Sequence, residues 1–168
     1  MKINGEKLIP ASLDHVWDSL NDTKVLQHCI PGCETLEQLT ESEFRLVLAA
    51  VVGPIRVRFV SKLTLQDVKP KSGYVMLFEG NGGSAGFGSG SARVELDESE
   101  DGVRLTYEAQ AKIGGKLAQV GSRLVDGVAK KLAEQFFTRF NNYLSKGAAA
   151  IDDEPASQES NNTKTQTG

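Results

Sequence analysis

The chain has 168 residues, of which 39% are hydrophobic and 24% charged, a composition that suits one globular domain. Its formal charge of -3 is matched by the stretch 148–168 alone, where Asp152, Asp153, Glu154 and Glu159 stand against Lys164, so the body is close to neutral. A near-neutral body excludes a general nucleic-acid binder, which needs a cationic surplus to displace counterions from phosphates.

Residues 1–10 are too polar and too short to carry a signal peptide's apolar core. No run approaches the roughly eighteen apolar residues of a membrane span. The expected compartment is the cytoplasm, where Cys29 and Cys33 are reduced thiols.

Residues 3–9 read as a first strand, which Pro10 ends. Ser12 is placed to cap a helix over 13–20, whose Leu13, Val16, Trp17 and Leu20 fall at helical spacing. Asn21-Asp22-Thr23 breaks that helix, and Thr23 offers the cap of a second one reaching about Cys29. Ile30-Pro31-Gly32 turns the chain. Weak alternation predicts a strand over 33–39, and a more apolar one over 43–52 ends at Gly53-Pro54. The clearest two-residue period runs through Ile55, Val57, Phe59, Ser61, Leu63 and Leu65, the pattern of a half-buried strand. Lys71-Ser72-Gly73 is a turn. Residues 74–80 and 88–96 make a hairpin around a glycine-rich connection. A turn over 98–102 leads to a further amphipathic strand with Val103, Leu105, Tyr107, Ala109, Ala111 and Ile113 on one face.

Gly114-Gly115 ends the strands. From Lys116 to about Lys146 the sequence predicts a single helix of about eight turns. Leu117, Val120, Leu124, Val128, Leu132, Phe136, Phe140 and Leu144 form its apolar stripe, flanked by Val125, Phe137 and Tyr143. After Gly147 large apolar residues are absent except Ile151. The domain therefore spans 1–146, and 147–168 is expected to be a disordered acidic and polar tail. Strand, two short helices, about six strands and a long helix indicate an α+β fold, a curved antiparallel sheet wrapped around the C-terminal helix.

The strand faces expected to meet that helix are not uniformly bulky. Ala109 and Ala111 lie on one, and the central hairpin carries Gly80, Gly82, Gly83, Gly86, Gly88 and Gly90. Glycines within strands mark bends or close approaches and leave space that side chains do not fill. The residues expected to line such a cavity are Phe44, Phe59, Phe78, Phe87, Tyr107, Leu124, Val128 and Phe136. A mainly apolar pocket with few polar atoms is the usual form of a ligand site; the alternative is that these side chains simply make a dry core.

Other motifs point away from common chemistries. Gly80-Asn81-Gly82-Gly83-Ser84-Ala85 lacks the following helix of a dinucleotide fingerprint, since more strand comes after it. Gly114-Gly115-Lys116-Leu117 lacks the hydroxyl residue and upstream glycine of a phosphate loop. Cys29, Cys33 and the adjacent His28 are too few to close a tetrahedral metal site. Neither His15 nor His28 pairs with a nucleophile, so no hydrolytic triad is expected. A buried Glu79 or Tyr107 is the only proton-transfer candidate. Arg56, Arg58 and Lys62 share one strand face, which is expected to be solvated; its functional alternative is docking to an acidic partner or anionic headgroups.

Several stretches resemble the CoxG family of carbon monoxide dehydrogenase proteins: Val16-Trp17 with Leu20-Asn21-Asp22; Cys29-Ile30-Pro31-Gly32-Cys33-Glu34; Val52-Gly53-Pro54-Ile55; residues 79–87; and residues 111–119. The resemblance runs from about Lys2 to Leu144. It implies a START-like (SRPBCC) helix-grip fold and an accessory, non-catalytic protein of a molybdenum-containing CO dehydrogenase or related hydroxylase. It further implies no tightly bound cofactor, a quinone or other isoprenoid lipid as hydrophobic small-molecule partner, and recruitment or peripheral contact at the inner face of the cell membrane. Two alternatives stand beside it: a surface-binding assembly factor without a ligand, and a small START-like enzyme.

Overall fold

The computed structural model describes residues 1–146; the predicted tail, 147–168, lies outside the described residues. The first strand, β1 (Lys2–Ile9), ends at Pro10. Ser12 then holds extended backbone and accepts a hydrogen bond from the His15 amide at 3.2 Å, which starts α1 (Leu13–Leu20). The second short helix, α2 (Thr23–Cys29), is capped by Asp22 rather than by the predicted Thr23. Asn21 closes α1 by bonding back to the Asp18 carbonyl, so Asp22 is the first residue free to extend, and its Oδ1 takes the Lys24 amide at 2.9 Å.

At Gly32 the backbone adopts φ +75, and a Cβ there would lie 2.1 Å from the Ala49 carbonyl oxygen. Only glycine allows this approach. It brings β2 (Cys33–Gln38) onto β3 (Glu43–Val52), with the Ala49 amide donating to the Gly32 carbonyl at 2.9 Å. A tight turn at Gly53-Pro54 follows, since Val52 faces Ile55 at the start of β4 (Ile55–Lys69). The predicted hairpin is β5 (Gly73–Asn81) and β6 (Phe87–Ser99), joined through a 3₁₀ turn at Gly83–Ala85, and β7 (Gly102–Gly114) completes the sheet. The seven strands are ordered β1-β7-β6-β5-β4-β3-β2, and every neighbouring pair is antiparallel.

The predicted single C-terminal helix is two helices, α3 (Lys116–Gln119) and α4 (Ser122–Lys146). Gly121 separates them with φ +101, outside the helical region. Within α4 a row of i, i+4 positions winds about 40° per step around the helix, so the face that meets the sheet takes in Val125, Leu132, Phe136, Phe137 and Phe140, and Leu124 falls outside it. Along the curved sheet α4 packs against α1, α2, β1 and β3.

The apolar core is split. One cluster gathers Ile9, Val16, Leu20, Val25, Leu96, Val103, Leu105, Phe137 and Phe140 where α1, α2 and the end of α4 meet the sheet. A smaller one gathers Val52, Val57, Ala85, Leu117 and Val125 near the start of α4. Between them the interior is open.

Candidate functional site: an apolar cavity between sheet and helix

A cavity of about 520 Å³ occupies the space between the two core clusters. Leu20, Leu105 and Phe137 close it on one side, and Val52, Leu117 and Val125 on the other. Each strand contributes its inward parity: Leu46, Leu48 and Ala50 from β3; Phe59, Ser61, Leu63 and Leu65 from β4; Tyr74, Met76, Phe78 and Gly80 from β5. The alternation read in β4 is thus the cavity wall itself.

Small residues explain why the space is not filled. Gly80 and Gly88 face each other across β5 and β6 and add no side chain of their own, so that only Ser61 and Phe59 lie against the first and Ile113 against the second. Ala111 on β7 and Ala129 and Ala133, one turn apart on α4, leave further room. At other glycines aromatic rings take the place of a side chain: Tyr107 lies over Gly5 and Phe87 over Gly114. Aromatic pairs stiffen one wall, with Tyr107 stacked on Phe137 at 5.4 Å and Phe136 edge-on to Phe137 at 5.0 Å.

Six of the eight residues expected from sequence line the cavity: Phe44, Phe59, Phe78, Tyr107, Val128 and Phe136. Phe87 and Leu124 do not. Phe87 starts β6 on the opposite parity from Gly88 and Val94, which face the cavity, so its ring lies on the outer side and is 56% exposed. Leu124 lies three i+4 steps before Phe136, which turns it about 120° around α4 to the outer side, where it covers Gly53 in the β3–β4 turn. Tyr74 and Met76 are among the further wall residues missing from the sequence-based set. Counting back by two from Phe78 finds both, since the three share one face of β5.

The wall carries no Asp, Glu, Lys, Arg or His; its polar side chains are Asn21, Ser61, Tyr74 and Tyr107. Asn21, at the junction of α1 and α2, is exposed and donates through Nδ2 to the Trp17 carbonyl at 2.9 Å. Tyr74 is the most deeply held polar group. Its ring meets Trp17 edge-on at 6.0 Å, and burial pushes its phenol up to about 12. Among the described residues no hydrogen bond satisfies that hydroxyl. The phenol of Tyr107 is also raised, first by burial and further by the Glu134 carboxylate, against the lowering influence of Lys7. Lys7 and Glu134 form an ion pair (2.6 Å to Oε2) that ties β1 to α4 beside it. Glu79, the other proton-transfer candidate, is exposed on the outer face opposite Lys62. It therefore cannot act inside the cavity.

Cys29 is buried in the core cluster, and the Cys33 thiol, half-buried, is raised by desolvation and by Glu34. Among the described residues no group of His, Cys, Asp and Glu is arranged to hold a metal ion. His15 is exposed.

The sequence profile of the carbon monoxide dehydrogenase protein CoxG matches residues 5–145, almost the whole described body. The chain belongs to the CoxG family. A crystal structure of a conserved protein from Geobacillus kaustophilus is 31% identical, superposes with a TM-score of 0.81, and is covered over 96% of its length by 87% of this chain. The ZhuI aromatase/cyclase from Streptomyces sp. R1128 shares 12% identity and a TM-score of 0.61, over 87% of this chain and 94% of that one. Ara h 8.0201 matches at the same TM-score of 0.61 with 12% identity, over 86% and 97% of the two chains. These last two likenesses establish the helix-grip fold. No curated protein matches the chain.

Proposed function

We propose that this CoxG protein is a non-catalytic carrier that holds a neutral, lipophilic, quinone-like molecule in its cavity and serves a molybdenum-containing CO dehydrogenase or related hydroxylase. The observation that carries this reading is an interior space of about 520 Å³ bounded almost wholly by apolar side chains and by no charged ones. That volume lies within the roughly 300–1,000 Å³ of typical small-molecule sites. Left without an occupant, such a space forfeits the packing contacts that a filled apolar interior makes. An apolar occupant restores those contacts, and each methylene it buries contributes about 0.8 kcal/mol.

The absence of charged side chains in the wall disfavours carboxylate ligands, because an unpaired buried carboxylate costs several kcal/mol (on the order of the penalty for a single desolvated ion). A carbonyl oxygen needs only a donor, and the Tyr74 hydroxyl is one. The same lining supports an accessory role over catalysis. Its titratable side chains are phenols whose raised pKa values keep them protonated at neutral pH.

Organic extraction of the purified protein followed by mass spectrometry tests the proposal. The expected result is a neutral isoprenoid-tailed species in near-stoichiometric amount. Recovery of no apolar species, together with no thermal stabilisation by an added quinone, contradicts it.

A further inference from the structure

Of the polar side chains in the cavity wall, three are engaged or turned aside. Asn21 is exposed and donates to the Trp17 carbonyl at 2.9 Å. Tyr107 lies along β1, its oxygen 2.7 Å from the place of a Gly5 Cβ and within the field of the Lys7–Glu134 pair. Ser61 lies against the sheet, its Oγ 2.8 Å from the place of a Gly80 Cβ.

Tyr74 differs from all three. Burial raises its phenol, so the group is deep, yet no hydrogen bond reaches its oxygen among the described residues. The side-chain oxygens that protein atoms seal without a partner, among those residues, are on Asp126 and Asn141. The Tyr74 oxygen is not sealed, and the open space that its residue borders is the cavity. A buried donor without an acceptor is costly, whereas a ligand oxygen placed there gains a hydrogen bond.

The two ends of the space differ in shape. Tyr74, Val94 and Tyr107 form one cross-strand row, Trp17 meets the first edge-on at 6.0 Å, and Phe137 stacks on the last at 5.4 Å. Such aromatic surroundings favour a planar ring. A second cross-strand row reads Ser61, Gly80 and Gly88. It stands about 20 Å along β5 from Tyr74, at about 3.3 Å per residue. Ala129 and Ala133 of α4 border the same cavity, so this part is slim-walled and takes a flexible chain. The separation exceeds any single ring, so an occupant that reaches both rows is elongated.

We infer that Tyr74 sets the direction of the ligand: its hydroxyl donates to a carbonyl oxygen on a planar head group held beside Trp17 and Val94, and the hydrocarbon chain runs from there along the Gly80–Gly88 gap toward Val52 and Val125. The inference rests on the carrier reading and adds to it the orientation of the ligand and the residue that selects for an oxygen. The reverse placement lays the chain against the hydroxyl and leaves the donor unpaired.

Displacement of a lipophilic dye from the delipidated full chain tests it, with two competitors, a decyl-substituted 1,4-benzoquinone and decylbenzene. Tyr74→Phe keeps the ring and removes the donor. It is expected to weaken the quinone about tenfold, the worth of one neutral hydrogen bond, and to change decylbenzene by less than about twofold. Retained decylbenzene binding also shows that the variant is folded. Equal losses for both competitors, or no loss for either, overturn the role of Tyr74. Direction is read from Trp17 fluorescence with decyl phenyl ketones brominated on the ring or at the chain end, each against the unbrominated ketone. Quenching by the ring bromine is expected; quenching by the chain-end bromine instead overturns the orientation. Failure of the parent protein to bind either competitor contradicts the carrier reading itself, and so is distinct from an effect confined to Tyr74→Phe.

Discussion

Ala133→Leu distinguishes a hollow interior from a packed one by the sign of its effect. Ala133 sits on α4 and faces the cavity between Leu132 and Phe136. Leucine adds three carbons. In open apolar space they are removed from water without displacing protein atoms, a gain of about 2.4 kcal/mol at about 0.8 kcal/mol per carbon. In a filled core the same carbons force neighbours off their rotamers and cost about 1–3 kcal/mol. Helix propensity barely differs between the two residues, so packing decides. For a chain of this length the gain corresponds to a rise in Tm of about 5–10 °C. The assay is thermal denaturation of delipidated protein followed by circular dichroism, with lipophilic-probe affinity measured in parallel. Higher Tm with weaker probe binding is expected. A lower Tm for Ala133→Leu refutes the argument from unfilled volume.

Other substitutions test individual elements. Gly32→Ala forces a Cβ to within 2.1 Å of the Ala49 carbonyl and should destabilise the protein by about 2 kcal/mol or more in denaturant titrations. Gly127→Ala, in the interior of α4 with no atom within 4 Å of the new methyl, should stabilise by about 0.5–1 kcal/mol in the same experiment. The raised Tyr74 phenol has a defined pH signature. The folded state keeps the proton that the unfolded state loses near pH 10, so this contribution to stability is complete below pH 10 and falls as pH rises toward about 12. Stability measured across that range should show the fall, and Tyr74→Phe should flatten it. Asp22→Ala should cost about 1 kcal/mol by removing the cap of α2, whereas Thr23→Ala should be near neutral.

Much of the architecture is legible in the sequence because it rests on local periodicity. The alternation from Ile55 to Leu65 is the wall-facing parity of β4, and the capping serine and proline around α1 mark its start as read. What sequence obscures is phase. A stripe drawn through Leu124, Val128, Leu132 and Phe136 winds about 120° around α4 by its first member, which leaves Leu124 off the face that Val125 occupies; the break at Gly121 is read through because the apolar pattern continues past it. Phe87 suggests a cavity residue by its size, although the parity of Gly88, Val94 and Leu96 already places it on the outer side. Asp22 and Thr23 are both residue types that cap helices, and only the end of α1 decides between them. Glu79 is a candidate by its chemistry, and the face it occupies removes it. The cavity itself follows from small residues on facing strands, but its separation of two core clusters requires tertiary packing to be seen.

Trp17 is the single tryptophan of the chain and meets Tyr74, whose ring stands in the cavity wall. A quinone held there quenches its fluorescence. Titration of delipidated protein with a soluble short-tailed quinone is therefore the most direct measurement. A saturable, one-to-one quench, weakened by Ala133→Leu, is expected. A quench that rises linearly with quinone, as collisions in solution produce, contradicts a cavity that holds such a ligand.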